Sequence, residues 1–366
     1  MIKEALRTII EGGTLDRATA RLVMDEIMTG GATGAQFGAL VTALRMRGET
    51  DEEIAGFAEV MRDKALHVPL PPDMQVVDCC GTGGDSSNSF NISTAAAIVA
   101  AAAGARLAKH GNRSASSRCG SADVLEGFGM RIEATPKEVA RCVEEIGIGF
   151  MYAPSFHPAM RFAGPPRREI GIRTVFNLLG PLTNPAGAQA QLIGVPERAL
   201  VERLGRSLAL MGTGHALLVH GLEGLDEVSV CGPTLVCEVH GGGEGAIETY
   251  EVTPEEFGLT RGVAADITGG TVEDNVRIIN EIFAGGNGPR QGVVLLNAAA
   301  VLYVAGVAPT WGAGIALARE ALVSGGARHK LAELVALTQS FGAATPPAQA
   351  PSAPPERGGL HLVPRA

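Results

Sequence analysis

From Met74 onward the apolar residues come in short runs divided by stretches of helical spacing, and this alternation limits the folds open to the chain. The runs "MQVVDC", "ARLAK", "GIGFMYA" and "HALLVHG" read as strands, and residues 136–145 and 199–211 read as helices. Strands joined through helices pair in parallel, with the helices laid on the faces of the sheet. A later stretch, "TLVCEVHGGGEGAIETYEV", reads instead as a hairpin turning through its glycines, placed towards the sheet edge. Residues 271–283, 292–305 and 313–337 return to helical spacing. The fold class is therefore α/β, with a mainly parallel central sheet.

The N-terminal residues obey a different pattern. Up to about residue 66 they read as helices, with Thr14 placed to cap a helix carrying Leu15, Ala18, Leu22 and Ile27 towards Gly30 and Gly31. "TGAQ" (33–36) and "TDEE" (50–53) are capping boxes. Behind them Phe37, Leu40, Val41 and Leu44 share one helical face, as do Ile54, Phe57 and Met61. The prolines of "VPLPPD" force an extended connector. The expected organisation is a small all-helical domain (1–67), a linker (68–73) and a larger α/β domain (74–342). Residues 343–366, with six prolines and almost no apolar pattern, read as a disordered tail.

Charge narrows the partners. The 366 residues carry 39 acids against 30 bases, a net charge of −9, and only 4% aromatics. That balance excludes nucleic acid as the main ligand, so any polyanion must be held by local cations, helix ends or metal. The six cysteines form no CxxC pair and no zinc spacing, which suits free thiols in a reducing compartment. No secretory h-region opens the sequence, and no run of about 18 apolar residues is present. The expectation is a cytoplasmic protein with no membrane partner.

Four segments carry the chemistry. "DCCGTGGDSSNSFNIST" (78–94) follows an apolar run and opens an alanine-rich helix. A strand, a glycine loop and a helix start converge free N–H groups and a helix dipole on one point, which makes a phosphate cradle. "KHGNRSASSRCGSADVLEGFG" (109–129) repeats the arrangement with Lys109, Arg113 and hydroxyls. Two such loops at the carboxyl ends of strands face a common crevice. "FHPAMRFAGPPRREIGIRTVFNLLGPLTNPAG" (156–187) holds His157, Arg161, Arg167, Arg168 and Arg173, and an arginine fork suits a carboxylate or phosphate. In "HGLEGLDEVSV" (220–230), Asp226 and Glu227 follow a strand, a pairing suited to Mg²⁺ beside bound phosphate.

Taken together in this order and spacing, "GTGGD…FNIST", "KHGNRSASS", "GSADVLE", "RREIGIRTVFNLLGPLTNPAG" and "GLDEVS" resemble the anthranilate phosphoribosyltransferase family, over roughly residues 3–340. The resemblance implies a nucleoside phosphorylase/phosphoribosyltransferase-like fold, in which part of residues 156–187 joins the helical domain, and a homodimer formed through the small domains. It implies transfer of the phosphoribosyl group of 5-phosphoribosyl 1-pyrophosphate to the amine of anthranilate, the second step of tryptophan biosynthesis from chorismate, with Mg²⁺ as cofactor. By position, Gly81, Gly84, Asp85, Ser89, Asn91, Ile92, Ser93 and Thr94 match phosphoribosyl contacts in the first loop. Lys109, His110, Gly111, Asn112, Arg113, Ser114, Ala115, Ser116, Ser117 and Ser121 match those in the second. Gly81, Asn112 and Arg167 match anthranilate contacts, and Ser93, Asp226 and Glu227 match magnesium ligands. No obligate acid or base is implied. The chain departs from the family pattern at Ser86, often Gly, and at Cys119, often Ser.

Two relatives of the same architecture offer rival readings. A pyrimidine-nucleoside phosphorylase would carry a "GGVGDK"-type loop and an "SKK" stretch, and the sequence has neither. A non-catalytic nucleic-acid-binding relative would need a basic face.

Overall fold

The computed structural model describes residues 1–85, 87–114, 118–241 and 247–342. It opens with helices α1 (Ile2–Ile10), α2 (Arg17–Met28), α3 (Gly34–Arg47) and α4 (Asp51–Asp63). Reciprocal side-chain-to-amide bonds start two of them, between Thr33 and Gln36 for α3 and between Thr50 and Glu53 for α4. Helix α2 departs from the sequence reading. Its cap is Asp16, whose carboxylate accepts from the Thr19 amide at 2.7 Å, rather than Thr14. Its inward face is Ala20, Val23, Met24, Ile27 and Met28, while Ala18 and Leu22 stay exposed. Alanines at both 18 and 20 blur the phase, and the i, i+3, i+4, i+7 set through Met24 is the one that closes on a core.

Beyond the linker the chain runs through β1 (Val77–Gly81), α5 (Ile92–Ala102), β2 (Leu107–Gly111), α6 (Ser121–Gly127), α7 (Pro136–Ile146) and β3 (Ile148–Tyr152). It continues with α8 (Ala153–Phe156), α9 (Met160–Ile170), α10 (Phe176–Leu179), β4 (Ala190–Gly194), α11 (Arg198–Leu210) and β5 (His215–Gly221). The edge strands β6 (Thr234–His240) and β7 (Ile247–Val252) follow. Helices α12 (Ala264–Ile267), α13 (Val272–Phe283), α14 (Pro289–Val304), α15 (Trp311–Val323) and α16 (Gly326–Ser340) complete the described chain. The stretch 313–337, expected as one helix, is two, because Gly325 takes a left-handed φ of +77° between α15 and α16.

Among the described residues the strands form one seven-stranded sheet in the order β3-β2-β1-β4-β5-β6-β7. The first five strands are parallel, and β6 and β7 add to the edge antiparallel, so the α/β expectation holds. The turn of that hairpin, 242–246, lies outside the described residues, as does the proline-rich segment 343–366. Strand β4 escaped the sequence reading because only Leu192 and Ile193 interrupt its alanine, glycine and glutamine context. It pairs with β1 on the side away from β2, so strand order reverses there.

Side chains alternate across the sheet. Cys79, Leu192, Leu217 and Val219 pack with α5 and α14, whereas Ile193, Ala216 and Leu218 enter a core shared with α11 and the N-terminal helices. Ala163 of α9 and Phe176 and Leu179 of α10 belong to that second core, so α9 and α10 pack with α1–α4 across a long sequence gap. Asn184 pins this excursion to the sheet by donating to Asp78 and to the Ala108 carbonyl, both at 2.8 Å.

Candidate active site

In open α/β sheets, ligands bind outside the carboxyl ends of the strands where strand order reverses. Here that point lies between Gly81, the last residue of β1, and Gly194, the last of β4, which are register partners. The space just beyond is taken by Asp226. A Cβ on Gly194 would collide with the Asp226 backbone, and one on Gly81 would lie 2.7 Å from its carboxylate. Glycine at both positions is what lets Asp226 reach the reversal point.

The glycine loop after β1 already shows its affinity for anions. The Gly83 amide donates to Asp226 Oδ2 at 3.1 Å, and the Ser93 amide, in the first turn of α5, donates to Glu227 Oε1 at 3.0 Å. Protein carboxylates thus sit on the loop and on the helix start. Burial, with the charges of Asp85 and Glu227 nearby, holds Asp226 well above the ordinary carboxylate range. Burial also pushes Glu227 up to about 7, against the opposing pull of Lys109 and the Ser93 amide. Asp85 adds a third carboxyl to this cluster. Hard oxygen donors crowded into mutual repulsion form a set that a divalent cation would neutralise, so the residues fit Mg²⁺.

The loop after β2 is organised from below. Asp123 of α6 accepts from the Ser114 amide at 3.0 Å and the Gly120 amide at 2.8 Å. Burial opposes its charge, yet these amides and Arg113 keep its carboxyl below the ordinary value. Ser121 Oγ donates to the Asn112 carbonyl at 3.2 Å. Asn91 ties the two loops together by donating to the Cys119 carbonyl at 3.1 Å and accepting from Asn275 at 2.8 Å.

Across from the first loop stands the segment that follows α9. A Cβ on Gly84 would strike the Arg173 guanidinium, which lies directly over the loop. Burial, and then the charge of Arg173, lower the pKa of Arg167. Neither guanidinium has an ion pair or hydrogen bond among the described residues. Two cations set close together above an anion-binding loop repel each other, and an anion between them would relieve that repulsion.

The chain is 53% identical over 339 residues to the anthranilate phosphoribosyltransferase of Chloroflexus aurantiacus, covering 92% of this chain and 99% of that one. The chain belongs to the anthranilate phosphoribosyltransferase family. Profiles of the glycosyl transferase family agree, the helical bundle domain matching residues 3–65 and the a/b domain residues 73–328. The anthranilate phosphoribosyltransferase of Herpetosiphon aurantiacus is 52% identical over 335 residues, 91% of this chain and 98% of that one. The structure of the Thermus thermophilus enzyme superposes with a TM-score of 0.85 at 42% identity, covering 91% of this chain and 99% of that one. That of the Saccharomyces cerevisiae enzyme in complex with PRPP and Mg gives 0.83 at 27% identity, covering 93% and 98%.

The residues singled out from sequence fall in different places. Gly81, Gly84, Asp85, Ile92, Ser93, Asp226 and Glu227 cluster around the β1 loop and the start of α5, where Thr94 Oγ1 is buried with no partner among the described residues. Ser89 lies farther along, bridged to Thr268. Others are already engaged with the protein. Lys109 is buried and donates to the Cys79 carbonyl, its charge acting on Asp78 and Glu227 from beneath the loop. His110 is buried, and Gly111 packs against Ser121 and Phe150. Arg113 is turned to Asp123 and Glu126, and the Asn112 side chain accepts from the Arg113 amide at 2.7 Å. Ala115, Ser116 and Ser117 lie outside the described residues. Sequence reasoning named Arg173 only as one of several arginines; its signal was the short offset from Arg167 across the turn at Gly171.

Proposed function

We propose that the chain transfers the phosphoribosyl group of 5-phosphoribosyl 1-pyrophosphate to the amine of anthranilate, releasing pyrophosphate and N-(5-phosphoribosyl)anthranilate. The observation that carries the reading is the Arg167–Arg173 pair, with no ion-pair partner among the described residues, in which Arg173 lies over a glycine loop whose Gly83 amide binds a carboxylate. One side of the crevice suits a phosphorylated ribose, and the other suits a planar carboxylate.

The arylamine of anthranilate is unprotonated near neutral pH, so the site needs no strong base to free its lone pair. The barrier lies in separating pyrophosphate from the ribose carbon. Loop amides around Gly83 and the start of α5 hold phosphate oxygens, with the hydroxyls of Ser93, Thr94 and the second loop as further donors. Lys109 keeps positive charge beneath that position. Arg167, supported by Arg173 and Asn112, grips the ortho-carboxylate and aims the amine at the ribose carbon. Asp226, Glu227 and Ser93 are the residues that would hold Mg²⁺, which when bound neutralises charge on the departing pyrophosphate. The working form is a homodimer formed through the helical lobes, in the cytoplasm.

The test is anthranilate fluorescence. Adding 5-phosphoribosyl 1-pyrophosphate and Mg²⁺ is expected to extinguish it at a rate proportional to enzyme. Persistent fluorescence, with both substrates intact by chromatography, overturns the reading.

A further inference from the structure

At the opposite end of β5 from the anion loops, three side chains converge that the transferase reaction does not use. In the antiparallel register of β5 and β6, His215 faces His240, and Glu238 lies two residues before His240 on the same face. The two Nε2 atoms approach one carboxylate oxygen, Glu238 Oε1, at 2.7 Å from His215 and 3.1 Å from His240. The imidazoles stack at a centroid distance of 4.8 Å and an angle of 25°. One donor atom from each residue lies within 4.8 Å of the others, the one such group of His, Cys, Asp or Glu found among the described residues.

From this arrangement we propose that His215, Glu238 and His240 form a zinc site on the sheet edge, separate from the catalytic crevice. Two imidazoles and one carboxylate are a borderline nitrogen and oxygen set that suits Zn²⁺ and disfavours Mg²⁺. Binding requires each imidazole to keep its proton on Nδ1, which frees both Nε2 lone pairs towards the oxygen they already approach. The supporting shell is in place. Tyr250 of β7 donates to Glu238 Oε2 at 2.6 Å, and Tyr303 of α14 also bonds Glu238 and meets the His215 ring edge-on at 5.1 Å. Such outer partners fix a ligand's orientation. The Glu238 side chain is 5% exposed and that of His240 54%, so the ion would be anchored from below and open to water above. Its consequence is mechanical, since it would clasp β5 to β6 and, through Tyr250, to β7.

The experiment uses the full chain, freed of metal with a chelator and given Zn²⁺ or Co²⁺ alone. Expected are one zinc per chain at micromolar concentration, a rise in melting temperature of a few degrees, and visible absorption from bound cobalt. Replacing the exposed His240 (His240→Ala) is expected to weaken zinc binding at least tenfold and abolish the rise, with turnover unchanged. His215→Gln, retaining a hydrogen bond to Glu238, is expected to do the same. The double variant Asp226→Asn with Glu227→Gln keeps the zinc. Equal zinc affinity in wild type and His240→Ala, or no zinc at micromolar concentration, overturns the proposal, and either result leaves the transferase reading intact.

Discussion

Arg167 and Arg168 are neighbours on α9 with opposite fates: Arg167 is partly buried and faces Arg173, while Arg168 is exposed. Adjacent helical residues point about 100° apart, so one ligand cannot engage both. Arg167→Ala is expected to raise the KM for anthranilate about tenfold to hundredfold, the loss of a charge-assisted contact of about 1.5–3 kcal/mol, with little change for the phosphoribosyl donor. Arg168→Ala is expected to behave as wild type, and Arg167→Lys to recover only part of the loss. Equal steady-state effects of the two alanine variants would show the wrong arginine was chosen. Arg173→Gln separates function from stability, because it removes a like charge beside Arg167. The melting temperature is expected to hold or rise while the KM for anthranilate climbs. Asp226 is likewise disfavoured in its charged form, by burial first and then by the charges of Asp85 and Glu227. Asp226→Asn is therefore expected to raise the melting temperature in chelator at neutral pH and to raise the Mg²⁺ needed for half-maximal rate; unaltered Mg²⁺ dependence would remove Asp226 from the metal's ligands. These residues were legible in sequence because loop glycines and paired acids leave a local signature. Arg173 and Asp123 were not singled out, since their roles depend on what the fold brings opposite them: Gly84 for one, the amides of Ser114 and Gly120 for the other.

Among the elements, the joint between β2 and the start of α9 is acid-sensitive. His110 on β2 and His157 just after α8 are buried with ring centroids 5.0 Å apart, and neither Nε2 has a hydrogen-bond partner among the described residues. Burial lowers the His110 pKa from 6.5 to about 4, a Gly180 carbonyl opposing and the Lys109 charge assisting. Burial and His110 lower His157 to about 3. Below pH 6.5 the unfolded chain takes up protons that the folded chain refuses, so stability present at neutral pH drains away as pH falls towards 4. The slope is about 1.4 kcal/mol per pH unit for each histidine. The raised carboxyls of Asp226 and Glu227 act in the opposite sense over the same range, so the histidines are read by difference. In urea unfolding between pH 7 and 4, wild type is expected to lose stability relative to His157→Phe by about 1.4 kcal/mol per pH unit; a constant difference would remove His157 from the acid sensitivity. Periodicity and caps revealed most elements, as Thr33, Thr50 and the hairpin of β6 and β7 show. What periodicity lacked was contrast: β4 is nearly hidden in small residues, the α15–α16 break rests on Gly325 alone, and α2 presents alanines on two faces.

For the whole molecule, exposed apolar side chains are unevenly spread. Met1, Ile10, Leu22, Met46 and Leu66 lie in the N-terminal lobe, and Phe162 and Ile172 in the segment packed beside it. Such surface is what an interface between two copies would cover. Light scattering is expected to give twice the chain mass of 37.7 kDa, and Ile10→Glu with Met46→Glu to halve that value; a wild-type monomer would refute the dimer. The same lobe has a further consequence, for synthesis. Its core needs Ala163, Val175, Phe176 and Leu179 alongside Ile9, Val23, Phe37 and Phe57, so the first four helices leave the ribosome well before the residues that cover them. At about 5–20 residues per second, the wait between completing α4 and completing α10 is roughly 6–23 s. Throughout it the nascent chain shows an open apolar face to the cell, and β1, β2 and β3 are made in the meantime. The N-terminal lobe is thus begun early and closed only by residues from the middle of the chain, a gap during which its open face is what a chaperone would cover.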